Sequence, residues 1–253
     1  MSRAIPRRAA NRLGGVLLLL ALAAGPAKGD AVVADLSSHI IAISSSFTGA
    51  DVVLFGATDG PGDVIAVVRG PERTMTVREK SRVAGIWVNT ESARFTNVPS
   101  FYSVVASRPL DEAVRPATAA LYRIGVGNLR LESKTPISPE RTKRLAEALI
   151  EEQQRAGLFA TEAGKITFLG ERLFRASLGF PENVPTGAYL VEVFLVRDRD
   201  VVSGQTTPLV VSKVGLDAAV ADFATRQSAA YGAIAVLTAV VAGWLASLPF
   251  RRV

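Results

Sequence analysis

From Gln227 to Phe250 the chain carries no charged side chain over 24 consecutive positions, and Arg251 and Arg252 follow at once. At about 1.5 Å of rise per helical residue, this run reaches roughly 36 Å, enough to cross a hydrocarbon core of about 30 Å with some tilt. It predicts a transmembrane helix over 229–250 with a three-residue tail, 251–253. A polar helical stretch over 215–228, with Asp217, Asp222 and Arg226 and no proline, leads into it. A continuous helix there would hold the preceding body close to the membrane surface instead of on a flexible linker.

The opposite end has a second apolar run, Leu13 to Ala24, preceded by Arg3, Arg7, Arg8 and Arg12. Its twelve residues are short for a span, and small residues follow, so it reads as a secretory signal peptide over 1–29. Cleavage is expected before Asp30, with Gly29-Asp30-Ala31 as an alternative site; an uncleaved anchor is the competing reading.

A formal charge of +6 suggests nucleic acid until it is located. Five basic residues lie in 1–29 and two are Arg251 and Arg252, which leaves 22 basic and 23 acidic groups between Asp30 and Ser228. A body that is close to neutral has no field to draw in phosphate backbones, so no nucleic-acid partner is expected. The positive flanks are those that set membrane topology, since Lys and Arg are retained on the cytoplasmic side. The expected address is a bacterial inner membrane, single-pass, with the body in the periplasm and the C-terminus in the cytoplasm. The chain has no cysteine, hence no disulfide staples and no thiol chemistry.

Short apolar runs separated by turns predict strands at His39–Ile43, Val52–Phe55, Val64–Val68, Gly85–Val88 and Phe101–Val105. Asp59-Gly60-Pro61-Gly62-Asp63 is a hairpin candidate. Ser138-Pro139-Glu140 is a helix start, with the helix expected to run to about Ala156 and to stop at Gly157, and a weaker helical segment covers Pro116 to Ile124. Strand patterns return at Lys165–Leu169, Leu173–Leu178, Tyr189–Val196 and Leu209–Val214, and Arg197-Asp198-Arg199-Asp200 reads as a charged turn between long strands. The expected fold is mainly β: an antiparallel β-sandwich over 30–214, immunoglobulin-like or related, with one inserted amphipathic helix and a C-terminal transmembrane helix.

Chemistry is sparse. His39 is the single histidine, so the usual ligands for zinc or copper cannot be assembled within one chain, and no metal or cofactor is expected. His39 sits in a strand pattern, which favours a core or edge role over a catalytic triad. The carboxylates are unclustered, neither glycine stretch has phosphate-loop spacing, and no catalytic residues emerge. Two groupings stand out. Arg69, Arg78, Lys80 and Arg82 form a candidate anion or partner patch, the last three on one strand face, against the plainer reading of a solvated face balanced by Glu72 and Glu79. Trp87, Phe95, Phe101 and Tyr102 read as core, with Tyr102 seeking a hydrogen-bond partner. In the span, Gly232 and Gly243 permit close helix approach, and the lack of ionisable residues points to anchoring or helix pairing.

Asp35-Leu36-Ser37, Phe55-Gly56-Ala57, Val68-Arg69-Gly70-Pro71, Gly85-Ile86-Trp87-Val88-Asn89, Pro99-Ser100-Phe101-Tyr102, Pro185-Thr186-Gly187-Ala188-Tyr189 and Gly243-Trp244-Leu245-Ala246 with Phe250-Arg251-Arg252 resemble a family of alphaproteobacterial transmembrane proteins (Alph_Pro_TM-like). The resemblance implies a periplasmic domain on a C-terminal helix and carries over no catalytic residues. It also implies sulfite-exporter-like permeases as neighbours. The leading expectation is a non-catalytic, membrane-anchored periplasmic accessory protein of an inner-membrane assembly, with an integral membrane protein as partner. The alternatives are a periplasmic hydrolase using loop carboxylates or a Ser-Lys pair, and an anion-binding module.

Overall fold

The computed structural model describes residues 32–83, 85–214, 220 and 223–247, with backbone alone at 80, 81, 83, 87–91 and 247. The predicted signal peptide, half of the predicted juxtamembrane helix (215–219, 221 and 222), the last three positions of the predicted span (248–250) and the Arg251-Arg252 flank lie outside the described residues. In chain order the strands β1 (Val32–Leu36), β2 (Ile40–Ile43), β3 (Ala50–Thr58), β4 (Asp63–Arg69), β5 (Glu72–Val83), β6 (Ile86–Pro99) and β7 (Tyr102–Ala106) come first. Two short helices, α1 (Leu110–Ala113) and α2 (Pro116–Tyr122), precede β8 (Glu132–Ser133) and the long helix α3 (Pro139–Arg155). Then come β9 (Gly164–Lys165), β10 (Thr167–Leu169), β11 (Leu173–Phe180), β12 (Gly187–Arg197), β13 (Asp200–Lys213) and the apolar helix α4 (Ser228–Ser247).

The strands form three sheets, ordered β1-β3-β11-β10, β2-β13-β12-β4-β7-β9 and β5-β6-β8. The mainly β class and the C-terminal apolar helix agree with the sequence reading, but the arrangement exceeds two antiparallel layers. β2 joins β13, and β9 joins β7, in parallel. The six-stranded sheet is also covered on both faces.

One core lies between the four- and six-stranded sheets, where Leu54, Phe174 and Leu178 meet Val64, Ala66, Val191 and Leu209. The other lies on the far face, where Ile65, Val67, Phe194 and Tyr102 meet Phe95 of β6 and Leu145 and Leu149 of α3. This explains two patterns that the sequence shows side by side. β11 alternates between buried and exposed because one of its faces meets water, whereas β4 is buried at five successive residues, Val64 to Val68. Each such burial stabilises the fold by on the order of 1.5–3 kcal/mol for a Val- or Ile-sized side chain.

The Asp59–Asp63 turn corrects one expectation. It does not close a hairpin, because β3 and β4 belong to different sheets and the turn carries the chain between them. Arg197 binds the turn through Asp59 and the Pro61 carbonyl (2.9 Å). The charged turn at 197–200 is a two-residue hairpin, with Asp198 and Arg199 both left-handed (φ 52° and 66°) and Arg197 paired with Asp200. Helix α3 begins as its sequence requires: Ser138 Oγ accepts from the Arg141 amide (3.4 Å) and Pro139 occupies the first turn. Gly157, at φ +72°, ends it. At the edge of the four-stranded sheet, the Gln205 side-chain amide donates to Ala34 O and accepts from Ala34 N, both at 2.8 Å, so β1 is tied to β13 by a side chain.

Candidate functional site

Arg69 ends β4 on the helix-bearing face of the six-stranded sheet, and Glu192 lies on the same face of the adjacent β12. The two form an ion pair, with side-chain exposures of 12% and 25%. Arg69 also donates to the carbonyl oxygens of Tyr122 (2.7 Å) and Arg123 (3.2 Å) at the end of α2. Those carbonyls have no partners within the helix, and the negative end of the helix suits a cation. Arg123 can present its carbonyl there because it adopts the left-handed conformation that stops α2 (φ 55°, ψ 41°). Burial lowers the guanidinium pKa from its usual value; Tyr102 opposes the shift and Arg123 adds to it.

Tyr102 completes the cluster. Its hydroxyl donates to Arg123 O (2.9 Å) and accepts from the Gly125 amide (2.7 Å), and burial pushes the phenol up to about 12.

A cavity of about 210 Å³ opens over these groups, lined with Arg123, Arg130, Glu72 and Asn97 as well as the Arg69–Glu192 pair. Asn97, like Arg123, is left-handed (φ 58°). The Arg69 Nε is buried and has no hydrogen-bond partner among the described residues. The cavity floor is built by close backbone approach. A Cβ on Gly70 would lie 2.7 Å from Ser100 Oγ and 2.9 Å from the Phe101 amide, and the Gly70 amide donates to Phe101 O (2.9 Å). Gly187 (φ +145°) would likewise drive a Cβ to 2.6 Å from Pro71. Three of the strings that carry the family resemblance, around Gly70, Ser100 and Gly187, thus meet at one place.

The predicted patch is split by the fold. Arg69 belongs to the six-stranded sheet, while Arg78, Lys80 and Arg82 lie on the β5–β6 arm of the three-stranded sheet. Arg78 is exposed, Arg82 Nε donates to Gly85 O (3.4 Å), and the backbone at Lys80 pairs with Asn89 just past a register shift. Glu79 on the same arm pairs with Arg144 of α3 (3.0 Å). The companions that Arg69 does have, Glu192, Arg123 and Arg130, were missed. Glu192 left a signal, as the single acid in the apolar run Tyr189–Val196. Arg123 and Arg130 left none.

Of the aromatic group, Phe95, Phe101 and Tyr102 are buried, and Tyr102 has its partners; the Trp87 side chain lies outside the described residues. His39 is half exposed and bonded to Asp35 (2.9 Å), with no hydroxyl hydrogen-bonded to it among the described residues. Among those residues no Asp or Glu is buried and no cluster of three His, Cys, Asp or Glu could hold a metal. Gly232 and Gly243 lie in α4 with open space where a Cβ would be, and the most apolar window of α4, Ser228–Ala246 with mean hydropathy 1.9, is 0% buried against its own chain.

No curated protein matches the chain. The profile of one family matches residues 31–252, from the first described strand through the apolar helix. The chain therefore belongs to the family described as Putative transmembrane protein (Alph_Pro_TM).

Proposed function

We propose that this chain is a membrane-anchored accessory subunit whose body sits in the periplasm and docks onto an inner-membrane assembly. In this reading 1–29 is a signal peptide, 30–214 the exported domain, 215–228 a juxtamembrane helix, 229–250 the span and 251–253 a cytoplasmic tail. The observation that carries it is α4, a helix long enough to cross a bilayer whose apolar stretch Ser228–Ala246 is 0% buried among the described residues. The basic flanks at Arg3 to Arg12 and Arg251-Arg252 support the orientation. A sulfite-exporter-like permease is the partner class that the resemblance suggests. Gentle solubilisation of membranes and affinity capture of the full chain should recover an integral membrane protein at stoichiometric yield; recovery of the chain alone would count against the role. A reporter fused after Val253 should be active only if cytoplasmic, and the opposite result would overturn the orientation.

The Arg69 cavity favours a second reading of the same body, as a receptor for a small oxyanion. Three guanidiniums face two carboxylates there, and one of those carboxylates is already paired. Calorimetry with sulfite, sulfate and phosphate should give heats that shrink in Arg123→Ala and Arg130→Ala and persist in Arg78→Ala. Equal heats in all three variants would remove this reading.

A further inference from the structure

The outward face of the four-stranded sheet is apolar along its centre: Phe55 is 47% exposed, Val53 39%, Val33 56% and Leu173 55%. A shallow depression of about 460 Å³ runs over it. Its residues repeat in kind about the central strand β3. Val33 and Leu173 lie on either side of Ala57, and Asp35 and Arg175 on either side of Phe55. Ser177 flanks Val53 on one side, and Ser37, whose amide donates to Val53 O (2.8 Å), flanks it on the other.

We infer that this face pairs with the same face of a second copy, about a two-fold axis running along β3. Such an axis stacks Phe55 on Phe55, lays Val33 of one copy over Leu173 of the other, and sets Asp35 over Arg175 twice. An axis across the strands would oppose acid to acid and base to base, so the charges select the register. Within one copy the two charges cannot meet, being two strand spacings, roughly 10 Å, apart with Phe55 between them. Asp35 has His39 as its neighbour, and Arg175 has no ion pair among the described residues.

The patch measures roughly 10 by 20 Å from strand geometry, less than the approximately 800 Å² per partner of a stable soluble complex. Two copies confined to one membrane gain the effective concentration that such a surface needs. Both anchors must enter the bilayer from one side, so the axis, and with it β3, stands along the membrane normal. The inference does not depend on the periplasmic role or on any permease.

The chain has no cysteine, so introduced thiols report cleanly. In membranes carrying full-length Phe55→Cys, mild oxidation should give a covalent dimer. Val33→Cys alone should give none, whereas Val33→Cys and Leu173→Cys copies expressed together should cross-link. Asp35→Lys in the Phe55→Cys background should lower the dimer yield roughly tenfold, and adding Arg175→Glu should restore it. A Phe55→Cys thiol that stays monomeric and freely labelled, or one shielded from label without forming the dimer because another protein covers it, overturns the inference. So does a dimer whose yield ignores the charge exchange.

Discussion

β4 and α4 look alike as sequence, each an uninterrupted apolar run, yet they end in opposite surroundings. Val64 to Val68 are each 0% exposed, sealed by two cores, while Ile234, Val236, Leu237 and Val240 of α4 are each more than half exposed. In β4 the backbone groups are satisfied by neighbouring strands, so the strand is useful only inside the protein. In α4 they are satisfied within the helix, so that exposed apolar side chains such as these can face lipid. Apolar composition says that a segment must leave water; the destination of its backbone hydrogen bonds says which medium receives it.

A charge placed in each segment is the sharpest way to break that contrast. Val67→Asp should cost the body about 4 kcal/mol or more, seen as loss of the cooperative thermal transition, because a carboxylate without a partner would be buried. Leu237→Asp should leave the thermal transition of the body unchanged and lower membrane partition, by about 2.5–3.5 kcal/mol on insertion scales, read by carbonate extraction. If both variants lost body stability, α4 would be part of the core and the contrast would fail. Next in size, Glu192→Leu should cost about 2–3 kcal/mol by urea unfolding, because Arg69 keeps its charge and loses its countercharge, and adding Arg69→Met should recover most of it.

Gly56→Ala tests how closely the sheet-to-sheet core is fitted. Its Cβ would run into the Phe174 ring and the Val33 carbonyl, and a loss of about 1–3 kcal/mol in the urea midpoint is expected, with the apolar helix unaffected. The smallest effect is alkaline. Tyr102 and Tyr189 have phenols raised by burial from 10.0 to about 12, so the folded state holds protons that the unfolded state has lost. Their contribution is complete below pH 10 and is lost as pH rises towards about 12. Tyr102→Phe and Tyr189→Phe should flatten that decline in denaturation midpoint.

The elements most legible in the sequence were those whose burial follows a period or whose ends are signed. β11 and β12 fall on their predicted runs, and α3 starts at Ser138 and stops at Gly157 as capping requires. The first halves of β5 and β13 were hard to see because they are held by pairing with a neighbouring strand more than by burial, and pairing leaves no mark in one strand alone; the second half of β5 showed only in the alternation of Arg78, Lys80 and Arg82. β1 was missed because Asp35 breaks the apolar run of its five residues, Val32–Leu36, whereas the shorter β2 is apolar throughout. The site was half legible. Arg69 stood out by its neighbours Gly70 and Pro71, but its true companions come from α2, the loop after it and β12, far away in sequence and brought together only by the stacking of the far-side core. The cations of the β5–β6 arm were grouped with it by nearness along the chain alone.

Gln205 has a reach beyond its two hydrogen bonds. By taking both the donor and the acceptor of Ala34, its carboxamide occupies the place where a stranger's peptide group would dock on the rim of β1. A rim already engaged offers no template for strand addition, so the body can crowd beside copies of itself on a membrane without polymerising through that border.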